Sequence, residues 1–304
     1  WIRYEIIMIF PFTSKKQGGA GGRGLFGGGR SAGGISSNVI DYVTIATAGN
    51  ATDFGDLSLA RHGVAGCSSA TRGLFGGNYL GTIIDYVTIA STGNATDFGD
   101  LTEARYYSGA CSSSTRGVFG GGYNTLNVID YVTIASTGNA TDFGDLTEAR
   151  YSIAGCSSPT RGLFGGGTSG VISNVIDYVT IASTGNATDF GDLSLARFGV
   201  AGCSSATRGL FGAGYGGGFS NVIDYVTIAS TGNATDFGDL TVARRYLASC
   251  SSATRGLFGG SDPYSNVIDY VTIASTGNAT DFGDLTVARY GHAGCSGVHG
   301  GLGE

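Results

Sequence analysis

The sequence predicts an all-β repeat fold, a six-bladed propeller of four-stranded antiparallel blades closed by a C-terminal inner strand. Three observations lead there. The 304 residues include 56 Gly and only 3 Pro, and 13% are charged, a composition suited to strands and tight turns. One unit of roughly 45 residues recurs six times. Within that unit some distances are constant and one varies, so a rigid frame carries one adjustable segment.

Each copy contains Val-Ile-Asp-Tyr-Val-Thr-Ile-Ala, with its acid at Asp41, Asp85, Asp130, Asp177, Asp224 and Asp269; the second copy reads Ile-Ile-Asp. Gly-Asn-Ala-Thr-Asp-Phe-Gly-Asp-Leu follows, then Ala-Arg, a Cys, and Arg-Gly-(Leu/Val)-Phe-Gly. From the Asp to the Cys, as from Asp41 to Cys67, the separation is always 26 residues. From Cys to the next Phe, as from Cys67 to Phe75, it is 8. From Phe to the next Asp it is 15, 10, 11, 13, 13 and 11.

Alternation and turn punctuation divide the unit into four strands. Strand b is Arg-Gly-Leu-Phe-Gly-Gly, ending in copy one on Gly27 and Gly28. Strand c is the Ile-Asp-Tyr segment, apolar on both faces and so expected to be covered on both. A Gly-Asn turn leads into strand d around Phe54–Leu57, and strand a runs from about Gly63 to Ser68. Four short strands cannot bury two faces alone, so neighbouring units must pack face to face, as blades do. A linear solenoid would need polar end caps, and neither terminus supplies one. The chain is expected to divide into an N-terminal tail and Gly-rich linker (1–22), the propeller (23–297) and a C-terminal tail (298–304).

The order of glycine doublet, tyrosine strand, aromatic strand, Arg and Ala-Gly-Cys resembles the kelch repeat over about residues 23–297. The resemblance implies that a C-terminal strand a pairs with the first b strand. The chain fits, since it opens on b at Arg23–Phe26 and ends just after an a strand, Tyr290–Ser296. It departs from the kelch pattern where Asp41 precedes Tyr42 and where Phe54 stands for the Trp of the later strand. The near-identity of the copies is similar to highly repetitive kelch-like proteins among marine phage and bacterial sequences, some tail-associated. That resemblance implies a virion or extracellular setting and a place in a larger assembly.

The net charge of −6 arises in the repeat, where each copy supplies three Asp and two Arg. With no basic stripe, nucleic acid is not an expected partner. No apolar run reaches the roughly 18 residues of a membrane span, so no membrane insertion is expected. Equivalent positions on neighbouring inner strands lie too far apart for disulfides, so six free, buried thiols are expected.

Function is placed where the copies differ. The segments 29–37, 78–82, 122–126, 167–173, 214–220 and 261–265 join b to c, and the position after the d-strand Arg varies too. Antiparallel topology puts both on one face. The expected ligand-binding rim comprises His62, Tyr79, Tyr106, Tyr123, Tyr151, Phe198, Tyr215, Arg245, Tyr264 and Tyr290, presented to a protein or glycan. A purely structural propeller, serving as spacer or assembly subunit, is the alternative.

No enzyme is expected, because six near-identical copies supply no unique acid–base cluster. No cofactor or metal is expected either. Asp53-Phe54-Gly55 spells a kinase triplet but lacks that family's other parts, and Asp53 with Asp56 is weak as a calcium pair. These acids are expected to satisfy turn amides and the framework arginines, including Arg61 and Arg72. The six Asn-Ala-Thr triplets, from Asn50 to Asn278, read as a copied turn rather than a glycan array.

Overall fold

A computed structural model describes residues 22–79, 81–124 and 126–303; all but the last residue of the expected N-terminal segment falls outside them. The fold is a propeller-like array of repeated four-stranded antiparallel sheets. Seven sheets form where the repeat count predicts six. Six have four strands each, in the order a-b-c-d. The first (sheet I) joins Ala293–Ser296 to Arg23–Gly27, Val39–Thr44 and Thr52–Asp56, with Leu25 opposite both Cys295 and Tyr42. Sheets II to VI follow along the chain, their a strands being Ala65–Ser68, Gly109–Ser112, Ala154–Ser157, Ala201–Ser204 and Ala248–Ser251.

The seventh sheet has three short strands, Arg289–Tyr290, Arg30–Ser31 and Ile35–Ser36. Its origin is the longest variable segment. With Asp41 standing 15 positions after Phe26, copy one has enough chain to fold a hairpin that pairs with the last d-to-a junction.

The core lies between sheets. Leu25, Ile40, Phe54 and Leu57 of sheet I pack with Phe75, Val87 and Ile89 of sheet II, and five equivalent clusters repeat the arrangement. The alternation of strand c accounts for this, because Ile40 and Val43 are both buried. All six cysteines are free and buried. Each thiol occupies the notch left by the glycine of the next sheet's Arg-Gly pair; a Cβ on Gly117 would stand 2.6 Å from Cys67 Sγ. Burial pushes the thiols up, Cys156 and Cys295 to about 12.

Polar links repeat at four distances from the inner strands. At the a strands, Ser68 Oγ donates to Ser296 O, Ser112 to Ser68, Ser157 to Ser112, Ser204 to Ser157, Ser251 to Ser204 and Ser296 to Ser251, a cyclic set. Further out, a guanidinium from each d-to-a junction reaches the strand-c acid of the next sheet. These pairs are Arg61–Asp85, Arg105–Asp130, Arg150–Asp177, Arg197–Asp224, Arg244–Asp269 and Arg289–Asp41. Arg61 also donates to Ile83 O and Phe75 O, and Ser58 donates to Asp85 through both its N–H and its hydroxyl. The expectation that Asp53 and Asp56 serve the framework arginines is therefore corrected. The acid inside strand c does so, because only it is sealed between sheets.

The other repeated arginines stack on tyrosine, Arg72 lying 4.7 Å from the Tyr86 ring centre while donating to Ile134 O of the next sheet. Outermost, the Gly-Asn turn is an inter-sheet clip. Gly93 N–H donates to Phe54 O, Ala95 N–H to Asp56 O, and Asn94 Oδ1 accepts from Asp56 N–H. Gly55 must be glycine for this approach, since a Cβ there would lie 2.5 Å from the Gly93 carbonyl.

Residues 298–303, assigned to a C-terminal tail by sequence, pack against the inner strands. His299 Nε2 lies 3.0 Å from Ser68 O, and Gly300 and Gly301 are buried. Among the described residues no helix is long and apolar enough to cross a membrane.

Two tests follow from this packing. Removing one member of a sealed pair strands the other charge, so Asp85→Ala should cost about 3–5 kcal/mol in urea unfolding; a loss below about 1 kcal/mol would contradict the clamp. His292 stands where the other copies have Val64, Ser108, Ile153, Val200 and Leu247, and burial beside Arg289 holds its pKa well below the ordinary value. The unfolded chain then binds a proton near pH 6.5 that the folded chain refuses. Stability should fall by about 1.4 kcal/mol per pH unit below that point. His292→Leu should reduce this slope in thermal melts recorded from pH 7 to 5.

Candidate binding rim

Backbone pairing joins the variable loops to the variable junctions. Tyr151 bridges Thr168, Phe198 bridges Tyr215, and Arg245 bridges Asp262, while Tyr123 N–H donates to Tyr106 O. The two sets of differing residues therefore share one face, positioned by the invariant frame beneath them.

At the centre of this face six residues form a cyclic hydrogen-bonded ring. Tyr107 N–H donates to Gly63 O, Ser152 to Tyr107, Gly199 to Ser152, Tyr246 to Gly199, Gly291 to Tyr246 and Gly63 to Gly291. All six have positive φ, between 57° and 68°. Gly63, Gly199 and Gly291 accept that conformation freely, whereas Tyr107, Ser152 and Tyr246 hold it at a cost of about 1–2 kcal/mol each. Tyr107 and Tyr246 occupy opposite positions in the ring, and their side chains meet across it with centroids 4.8 Å apart. Beneath them lies a cavity of about 90 Å³ lined largely by Gly and Ala of the a strands. Burial pushes both phenols up.

Around this centre the ten expected rim residues form one connected network. A row runs Tyr79–Tyr106–Tyr123–Tyr151, with centroid separations of 5.1, 4.7 and 5.1 Å. His62 contacts Tyr106 and Tyr107, and Tyr290 contacts both Tyr246 and Tyr264. Phe198 meets Tyr215 and Tyr246. Arg245 lies over Phe198, Tyr215, Phe219 and Tyr246 at 5.0–5.5 Å and pairs with Asp262 at 2.8 Å.

The ten rim residues expected from sequence do not include Tyr107, Tyr246 or Phe219, although the two tyrosines belong to the aromatics that recur at the junctions of that face. The first two carried a signal, since the second position after the framework Arg also varies between copies. Phe219 lay inside a segment marked only by its length. Burial and the Arg30 charge lower the His62 pKa.

Two open clefts flank the aromatics. One, of about 340 Å³, is lined by Tyr123, Asn124, Tyr151, Ser169 and Gly170. The other, of about 470 Å³, runs between Leu195 and Phe219. Tyr79 and Tyr123 are 56% and 39% exposed, so the row presents ring surface outward.

No protein-family model matches this chain, and no curated protein matches it. The geometry therefore carries the functional argument.

Burial, together with the neighbouring Tyr123 and Tyr79, pushes the Tyr106 phenol up to about 12. A ¹³Cζ NMR titration should show Tyr106 ionising near pH 12, and a midpoint near 10 would contradict the packed row.

Proposed function

We propose that this chain is a six-bladed, kelch-like propeller whose aromatic rim binds a protein or glycan ligand, as the adhesive or recognition part of a surface or virion assembly. In this reading the six four-stranded sheets are the blades. Ala293–Ser296 closes the ring against Arg23–Gly27, and the three-stranded sheet is an elaboration of the first variable loop.

The cyclic serine set and the cyclic Arg–Asp set support the architecture, since both run from the last repeat back to the first. One observation carries the binding reading. The residues that differ between otherwise repeated units converge on a single face and are mainly Tyr, Phe and Arg, the side chains that dominate binding energy at interfaces. Drift alone would give the variable loops no common chemistry.

The experiment is a joint protein and glycan array. Replacing Tyr79, Tyr123 and Tyr264 together by Ala should lower binding by at least roughly tenfold, with a thermal midpoint close to that of the parent. Unchanged binding in a folded triple variant would favour the spacer role instead.

A further inference from the structure

The charges outside the repeated framework are informative because they alone distinguish one part of the rim from another. Within the described residues they are Arg30, Glu103, Glu148, Arg245 and Asp262. They divide by position. Arg245 and Asp262 pair with each other, and Arg30 donates to Gly34 O. Glu103 and Glu148, at d-to-a junctions in the half that carries Tyr79, Tyr106, Tyr123 and Tyr151, are exposed and form no ion pair among the described residues. Ser173 Oγ donates to Glu148 Oε2, which ties this carboxylate to the loop that lines the 340 Å³ cleft.

The opposite half displays what such a surface holds. There Arg245 sits among four aromatic rings with a carboxylate at its guanidinium. The same junction position is Tyr106 and Tyr151 in the tyrosine half, which has rings and carboxylates but, among the described residues, no arginine over Tyr79, Tyr106, Tyr123 or Tyr151. A ring face attracts a guanidinium or ammonium through its quadrupole, and an unpaired carboxylate adds to that attraction.

We propose that the tyrosine half of the rim captures an arginine or lysine side chain of a basic protein segment, seated in the cleft between Tyr123 and Tyr151, with Glu148 and Glu103 supplying the countercharge. This rests on the rim reading and chooses protein over glycan as the ligand. The chain's net charge of −6 favours approach of such a segment.

The test titrates the full chain, by calorimetry and NMR, with the peptide acetyl-Gly-Arg-Gly-Arg-Gly-amide, its citrulline counterpart and maltotetraose. The arginine peptide should bind and shift the Tyr123 and Tyr151 resonances. Citrulline should weaken binding by roughly tenfold, and Glu148→Gln severalfold. Added salt should weaken the complex. Tyr123→Leu should abolish binding; if that variant fails to fold, Glu148→Gln and the citrulline peptide still decide. Equal binding of the citrulline peptide, or shifts confined to Phe198 and Tyr215, would overturn the inference. Maltotetraose bound in a Tyr123-dependent way without arginine binding would also overturn it, yet would leave the rim reading intact. Failure of both probes would overturn it as well, with the rim reading then judged by the array alone.

Discussion

The rest of the structure depends on a buried ion pair used six times. A carboxylate such as Asp85, with no exposed surface, is tolerable only because Arg61 and the Ser58 N–H and hydroxyl surround it. The guanidinium comes from one repeat and the acid from the next, so the pair cannot form within a single unit. Burial lowers the Arg61 pKa while the Asp85 charge opposes that. Such pairs contribute less to raw stability than apolar packing would, and each one ties a sheet to the next.

Around that pair the other links follow. The serine set inside, the arginine–tyrosine stacks and the Gly-Asn clips outside all cross the same seam between successive sheets. Every repeat therefore gives and receives the same contacts, and near-identical sequences suffice. The exception is His292, a buried imidazole at a position that is otherwise apolar or Ser, set in the sheet that unites the two ends of the array.

This division of labour leaves the loops free. Since no inter-sheet contact of the frame requires a particular b-to-c segment, these segments differ in length and carry the aromatics. The ring of left-handed residues then draws the variable positions inward, so that Tyr107 and Tyr246 link two groups of side chains that would otherwise be separate.

The repeat, its four strands, the free thiols and the face on which the copies differ were all legible, because periodic spacing and turn chemistry act locally along the chain. The fate of Asp53 and Asp56, the seventh sheet and the packing of His299 were not, because each depends on a partner from a distant repeat. Sequence alone determined that one unit is built six times with one adjustable segment, since strand alternation and glycine turns need only neighbouring residues. Only the tertiary structure decided which acid meets which arginine and which aromatics share a surface. Those choices are made where separate repeats exclude water from a common seam.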